Sequence, residues 1–183
     1  MRLFSAPLIF VLAIACQAHA DNPELARLAA QDQADRAEKA GEWDDDARRR
    51  RVLELLAMGA VSSPRDKLHA ALILQHTPGQ ICEGRLGSAN PENYLLAHYL
   101  AKAALGAGLV EARPMVAVTI DRYLSFTEGR QRYGTSQLVD PATGQMYLPE
   151  IDRSISDAER AELGVPPLRT VLKQAPERKP PAR

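Results

Sequence analysis

The sequence predicts a mainly α fold, a single helical domain of about five main helices with a small C-terminal β-hairpin and a short last helix. Apolar residues recur at steps of three and four through most of the chain, the signature of helices with one buried face. Helix-start pairs such as Asn22-Pro23 and Ser63-Pro64, and stops such as Gly59 and Gly129, bracket these segments. Two short apolar runs, Leu138-Val139 and Met146-Tyr147-Leu148, flank the turn-forming Asp140-Pro141-Ala142-Thr143-Gly144. A chain of 183 residues with 45% hydrophobic and 25% charged content is long enough to bury one real core.

Residues 1–20 read as a secretory signal peptide: Arg2 is a minimal basic region, Leu3 to Ala15 is apolar, and Ala18-His19-Ala20 is an A-x-A cleavage site. Thirteen apolar residues span only about 20 Å as a helix, short of the ~30 Å hydrocarbon core of a bilayer, so export rather than a transmembrane helix is expected. The alternative is a lipobox, Leu12-Ala13-Ile14-Ala15-Cys16, with lipidation at Cys16 and an outer-membrane lipoprotein as the product. Without its first twenty residues the chain carries 22 Lys plus Arg against 23 Asp plus Glu, a net charge of −1, and no nucleic-acid partner is implied. Cys82 would be the only cysteine of a soluble mature form, which excludes an intramolecular disulfide.

The helical domain covers residues 21–173. Its first helix starts with Asn22 as N-cap and Pro23 in the first turn. The stripe Leu25, Leu28, Ala29 runs on to Asp32, Gln33 and Arg36, so its buried face turns polar halfway along. Asp32 and Arg36 are spaced to pair, either on that face or as an exposed ion pair. Asp44, Asp45 and Asp46 open a second helix whose stripe is Val52, Leu55 and Leu56, and the run Arg48 to Arg51 reads as a solvated, internally paired face.

Ser63 caps the third helix, with Leu68, Ala71 and Leu72 as its stripe and Gln75-His76 at its end. His69 and His76 lie two turns apart, roughly 10 Å, too far to share a metal, and no metal or cofactor is expected. Gln80 to Ala89 is expected to be a loop. Asn90-Pro91-Glu92 caps the fourth helix, whose Ala101, Ala103 and Ala104 would admit a close neighbour and whose Tyr94 and His98 are spaced to hydrogen-bond. The fifth helix, Met115 to Phe126, is apolar on nearly all faces and is expected to be central; its Asp121 and Arg122 then need partners or a cleft. Ser156-Asp157 caps the short last helix, and the proline-rich tail, residues 174–183, is expected to be disordered.

Four groups fall in a recognisable order: Asp32-Gln33-x-x-Arg36; Gln75-His76; Asp121-Arg122-x-Leu124 with Gly129-x-Gln131-x-Tyr133-Gly134-Thr135; and Arg160-Ala161-Glu162-Leu163-Gly164-Val165-Pro166-Pro167-Leu168. Together, across about residues 30–172, they resemble a bacterial family of unknown function, number 6624 among the catalogued domains. That family usually has Gln directly after Gly-Thr, whereas here Ser136 precedes Gln137. The resemblance implies an architecture and a set of positions, and no activity.

These positions and the polar ends of the stripes coincide, and they define the expected site. Asp32, Gln33, Arg36, Gln75, Arg122, Gln131, Tyr133 and Thr135 are the candidate ligand-binding residues, and His76 and Asp121 the candidate catalytic pair. The expected function is an exported, periplasmic protein with a polar pocket for a small or peptide ligand. One alternative is a periplasmic immunity or inhibitor protein that binds a partner protein. Another is an acid–base hydrolase or lyase in which Asp121 orients His76 as general base or acid and arginines hold an anionic group. Against all three stands a buried hydrogen-bond network that only fixes helix register.

Overall fold

The computed structural model describes residues 20–38, 44–82 and 85–178. The expectations for residues 1–19, Cys16 included, lie outside the described residues. Among the described residues no helix is long and apolar enough to cross a membrane.

Five main helices form the framework of the described chain. Helix α1, Pro23–Glu38, begins where Asn22 Oδ1 accepts from the Glu24 and Leu25 amides at 2.9 and 3.3 Å. Helix α2, Asp45–Ala57, is capped by Asp44, whose carboxylate accepts from the Ala47 amide, and ends before Gly59 at φ +70°. Helix α3, Pro64–Leu74, starts with a capping box of Ser63 and Asp66. The buried Asp66 also accepts from the Asn22 amide at 2.7 Å, which ties the head of α1 to the head of α3. Helix α4, Glu92–Gly106, has no side-chain cap, because Asn90 contributes only its carbonyl. A 3-10 turn, Val110–Ala112, leads into α5, Arg113–Thr127.

The core joins Leu25, Leu28 and Ala29 of α1, Val52 and Leu55 of α2, Ala70, Ala71, Ile73 and Leu74 of α3, Ala97, Leu100 and Ala101 of α4, and Val116 of α5. Helix α3, not α5, is the hub: it packs against α1, α2, α4 and α5. Two adjacent alanines let neighbours approach on more than one side, so its buried set, Ala70, Ala71, Ile73 and Leu74, is wider than the stripe Leu68, Ala71, Leu72, of which Leu68 and Leu72 are only partly buried. Helix α5 contributes only Val116 to the buried set of this core, and its buried face is Val116, Ala117, Thr119, Asp121 and Ser125, three of the five polar. Ala101 and Ala104 are fully buried as expected, while Ala103 is exposed.

The expected loop at 80–89 is instead an antiparallel ladder, β1 Gly79–Cys82 against β2 Arg85–Ser88, with Cys82 opposite Arg85. The expected C-terminal hairpin is matched only loosely: β4, Leu138–Val139, pairs antiparallel with Met146 and Tyr147 at the start of β5, Met146–Ile151. It is one part of a larger sheet. Strand β3, Arg130–Gln131, pairs in parallel with Glu150 and Ile151, and β6, Glu177–Arg178, pairs in parallel with Leu148 and Pro149. Strand β6 lies in the stretch for which disorder is expected. Two contacts explain its order: the Glu177 carboxylate accepts from the Ile151 amide at 2.7 Å, and Arg178 pairs with Asp140. Residues 179–183 lie outside the described residues.

Short helices α6, Asp157–Glu162, and α7, Leu168–Val171, close the chain. Ser156 and Glu159 cap α6 reciprocally, and Val171 packs with Leu148 and Ile151 in a second, smaller core.

Candidate functional site

The site grows from the C-terminal end of α3. The last carbonyls of a helix have no intrahelical partner and carry its negative dipole end, so cations gather there. Arg122 Nη1 of α5 donates to the Gln75 carbonyl at 2.6 Å, Arg49 of α2 donates to the His76 carbonyl, and Thr77 Oγ1 donates to the Leu74 carbonyl at 2.9 Å. Helices α2 and α5 are thereby fixed to one helix end.

His76 projects from that end toward α1. Its Nδ1 lies 2.9 Å from Oδ1 of Asp32, which is 0% exposed. Gln33 Nε2 donates to Asp32 Oδ2 at 2.8 Å, and Arg36 Nη2 reaches Asp32 Oδ1 at 3.3 Å and Asp45 Oδ2 at 3.0 Å. The Asp32–Arg36 pair is therefore a buried-face contact and not an exposed one. Arg36 Nε also lies 2.9 Å from His76 Nδ1. That nitrogen serves one neighbour at a time: as Nδ1–H it donates to Asp32, and as the bare nitrogen it accepts from Arg36. Gln75, 6% exposed, places Nε2 at 3.1 Å from His76 Nε2, while its Oε1 has no hydrogen-bond partner. A half-turn of that amide lets Gln75 follow the imidazole proton, donating to bare Nε2 or accepting from Nε2–H.

Burial pushes His76 below the ordinary histidine value, and the Arg36 and Arg122 charges push the same way against the pull of Asp32. At neutral pH the imidazole is neutral. Burial acts to raise the Asp32 carboxyl, but hydrogen bonds from His76 and Gln33 and the Arg36 charge outweigh it and hold the group low. Burial lowers Arg122, and the Arg36 charge adds to the effect.

In front of this network lies an open cleft of about 450 Å³ lined by Arg36, Asp45, His76, Thr77, Pro78 and Arg122. Arg122 and Thr77 also line a smaller cavity of about 130 Å³ bounded by Tyr94, Phe126 and Thr135 to Leu138. Tyr94 and Phe126 stack there at 5.4 Å, and the Tyr94 hydroxyl donates to the Thr77 carbonyl. Tyr94 and His98 thus do not bond each other; His98 Nδ1 lies 3.0 Å from the Val116 carbonyl.

The second half of the expected site is a separate structure. The buried Asp121 carboxylate accepts from the Arg132, Tyr133 and Thr135 amides at 2.7, 2.9 and 2.8 Å and from Thr135 Oγ1 at 2.8 Å. Burial raises this carboxyl, and those four hydrogen bonds work against the rise. Among its hydrogen bonds Asp121 has none to His76; the carboxylate beside that ring is Asp32. Gln131 spends its amide inside the same unit, donating to the Pro149 carbonyl at 3.0 Å and accepting from the Ser136 amide at 2.9 Å. The fully buried Arg160 donates to the Tyr133 carbonyl and lies 3.8 Å from Asp157. Gln137 is exposed and donates to Gln174 at 2.8 Å.

Of the expected residues, Asp32, Gln33, Arg36, Gln75, His76 and Arg122 converge. Asp121, Gln131, Tyr133 and Thr135 form the loop clamp, whose Thr135 reaches the smaller cavity beside Arg122. Sequence reasoning missed Asp45 and Arg49. In the sequence Asp45 reads as part of the acidic start of α2 and Arg49 as part of a solvated, internally paired face. The internal pairs Arg48–Asp45 and Arg49–Asp46 are present, but Arg48 and Arg49 are buried, and Arg48 also reaches Asp35 of α1 at 2.6 Å. Among the described residues no group of three or more His, Cys, Asp or Glu side chains is arranged to hold a metal. No family model matches the chain, and no curated protein or solved structure matches it.

Proposed function

We propose that this is an exported, periplasmic protein that binds a small or peptide ligand in the cleft at the end of α3. Export rests on the leader at residues 1–20. The resemblance to bacterial family 6624 rests on the ordered motifs and carries no activity with it. One observation carries the binding reading: Arg36, His76 and Arg122, from α1, the end of α3 and α5, meet on one open cleft backed by a buried carboxylate–imidazole pair. A register-fixing network accounts for Asp32 and Gln33, but it gives no reason for partly buried cations to line open space.

A second reading, an acid–base hydrolase or lyase, is favoured by the neutral imidazole held against Asp32. In it His76 accepts a proton at Nε2 once a ligand turns Gln75 aside, and Asp32 steadies the imidazolium.

A thermal-shift screen of the exported chain against a metabolite library tests the binding reading. A compound that raises the melting temperature of the wild type, and loses that effect in His76→Ala, supports it. Compounds that stabilise both proteins alike place binding elsewhere and overturn it.

A further inference from the structure

Resting on that reading, we infer that the cleft takes an oxyanion, a phosphate or carboxylate group of the ligand, on the Arg122 guanidinium. A guanidinium offers five N–H donors in a planar fork that matches carboxylate and phosphate oxygens two at a time. Arg122 uses one of them on the Gln75 carbonyl, and among the described residues no carboxylate lies within ion-pair distance of it. The other cations of this region are engaged with acids: Arg36 with Asp32 and Asp45, Arg48 with Asp35 and Asp45, Arg49 with Asp46.

The contrast sets Arg122 apart. A partly buried charge without a counter-charge is costly, and the Arg36 charge adds to that cost. A helix-end role explains one N–H bond and leaves the remaining donors unaccounted for. Arg122 lines both the open cleft and the smaller cavity, as does Thr77. An anion placed there gains the paired hydrogen bonds, the Arg36 charge and the Thr77 side of the cleft. A cation there meets two guanidinium groups, and Asp45, the carboxylate that lines the same cleft, is already held by Arg36 and Arg48.

The test uses four probes of one shape, phenyl phosphate, benzoate, benzamide and benzylamine, titrated into the exported chain. Binding is followed through the His76 ring and Arg122 Nε–H resonances and through the melting temperature. The expected result is that phenyl phosphate or benzoate shifts both resonances and stabilises the fold, while benzamide and benzylamine do not. Arg122→Gln then weakens the anion at least tenfold, about 1.4 kcal/mol, and the exposed control Arg169→Gln leaves it unchanged. The ratio of phenyl phosphate to benzoate affinity tells a phosphate site from a carboxylate site. If benzamide or benzylamine binds at these resonances as well as the anions do, the oxyanion assignment falls and the ligand-binding reading stands. If no probe moves either resonance, both fall. Should Arg122→Gln not fold, the comparison of charged and neutral probes on the wild type decides alone.

Discussion

His76 Nδ1 and Asp32 Oδ1 lie 2.9 Å apart across 44 residues of chain, inside a network that Gln33, Arg36 and Gln75 complete. The carboxylate holds the ring, and burial, with the Arg36 and Arg122 charges acting in the same direction, pushes its pKa down. Asp32→Asn should therefore act twice. Loss of the buried charge leaves Arg36 and the imidazole short of a partner and destabilises by about 2–4 kcal/mol. Loss of the group that raises His76 also drives its pKa further down, which an NMR titration of the ring reads directly. An unmoved or raised value would break the assigned pairing.

The loop clamp yields a local prediction. Asp121→Ala removes the acceptor for the Arg132, Tyr133 and Thr135 amides and should cost at least about 3 kcal/mol. Hydrogen exchange at those three amides should accelerate far more than exchange in α1 or α3. Uniform acceleration would mean that the carboxylate does not act on the loop in particular.

Gly134 and Gly144 provide a matched pair, with φ of +79° and +67°. A Cβ on Gly134 would meet Val171 Cγ1 at 2.8 Å and Ile151 Cδ1 at 3.0 Å, whereas one on Gly144 meets open space. Gly144→Ala should cost about 1 kcal/mol of left-handed strain. Gly134→Ala adds overpacking for a total of about 2–4 kcal/mol. Urea denaturation of the two variants checks the order.

Burial lowers His69, His76 and His98 below their ordinary value of 6.5. The folded state thus binds fewer protons than the unfolded chain. The stability these groups contribute is full above about pH 6.5 and is lost as pH falls through their folded values. Asp121, raised by burial, contributes with the opposite sign, so the informative quantity is a difference. Between pH 7 and 5 the wild type should lose more stability than His76→Gln in denaturation curves; equal slopes would exclude a depressed His76.

Deleting residues from Ala175 onward removes β6, the Glu177 acceptor of the Ile151 amide and the Arg178–Asp140 pair. A loss of about 1–3 kcal/mol is expected, with the near-ultraviolet signal of Tyr147 altered, because Arg178 sits 4.7 Å from its ring. A tail that contributes nothing would leave both unchanged.

Helix ends were legible in the sequence because each carries its own local chemistry: Asn22, Asp44, Ser63 and Ser156 cap where expected, and Gly59, Gly129 and Gly164 stop helices at positive φ. The polar ends of α1 and α3 were legible for a related reason, since a charge on an apolar stripe must find a partner. Which partner was not legible. From the sequence Asp121 is the partner expected for His76, and only the packing of α1 on α3 brings Asp32 to the ring instead. The hub role of α3 was hidden because alanines bury little apolar area and give a faint stripe. Strands β3 and β6, two residues each, are too short to show alternation. Arg48 and Arg49 read as solvated because their acids sit on other turns and on α1.

Asp121 and Arg122 are consecutive on α5, yet one is fastened to the loop at 132–135 and the other to the end of α3. Adjacent side chains on a helix diverge by about 100°, so a single turn of α5 faces both ways. The helix is geared to both. Rotation of α5 about its axis would move the floor of the cleft and the footing of the loop together, and neither could shift while the other stayed still.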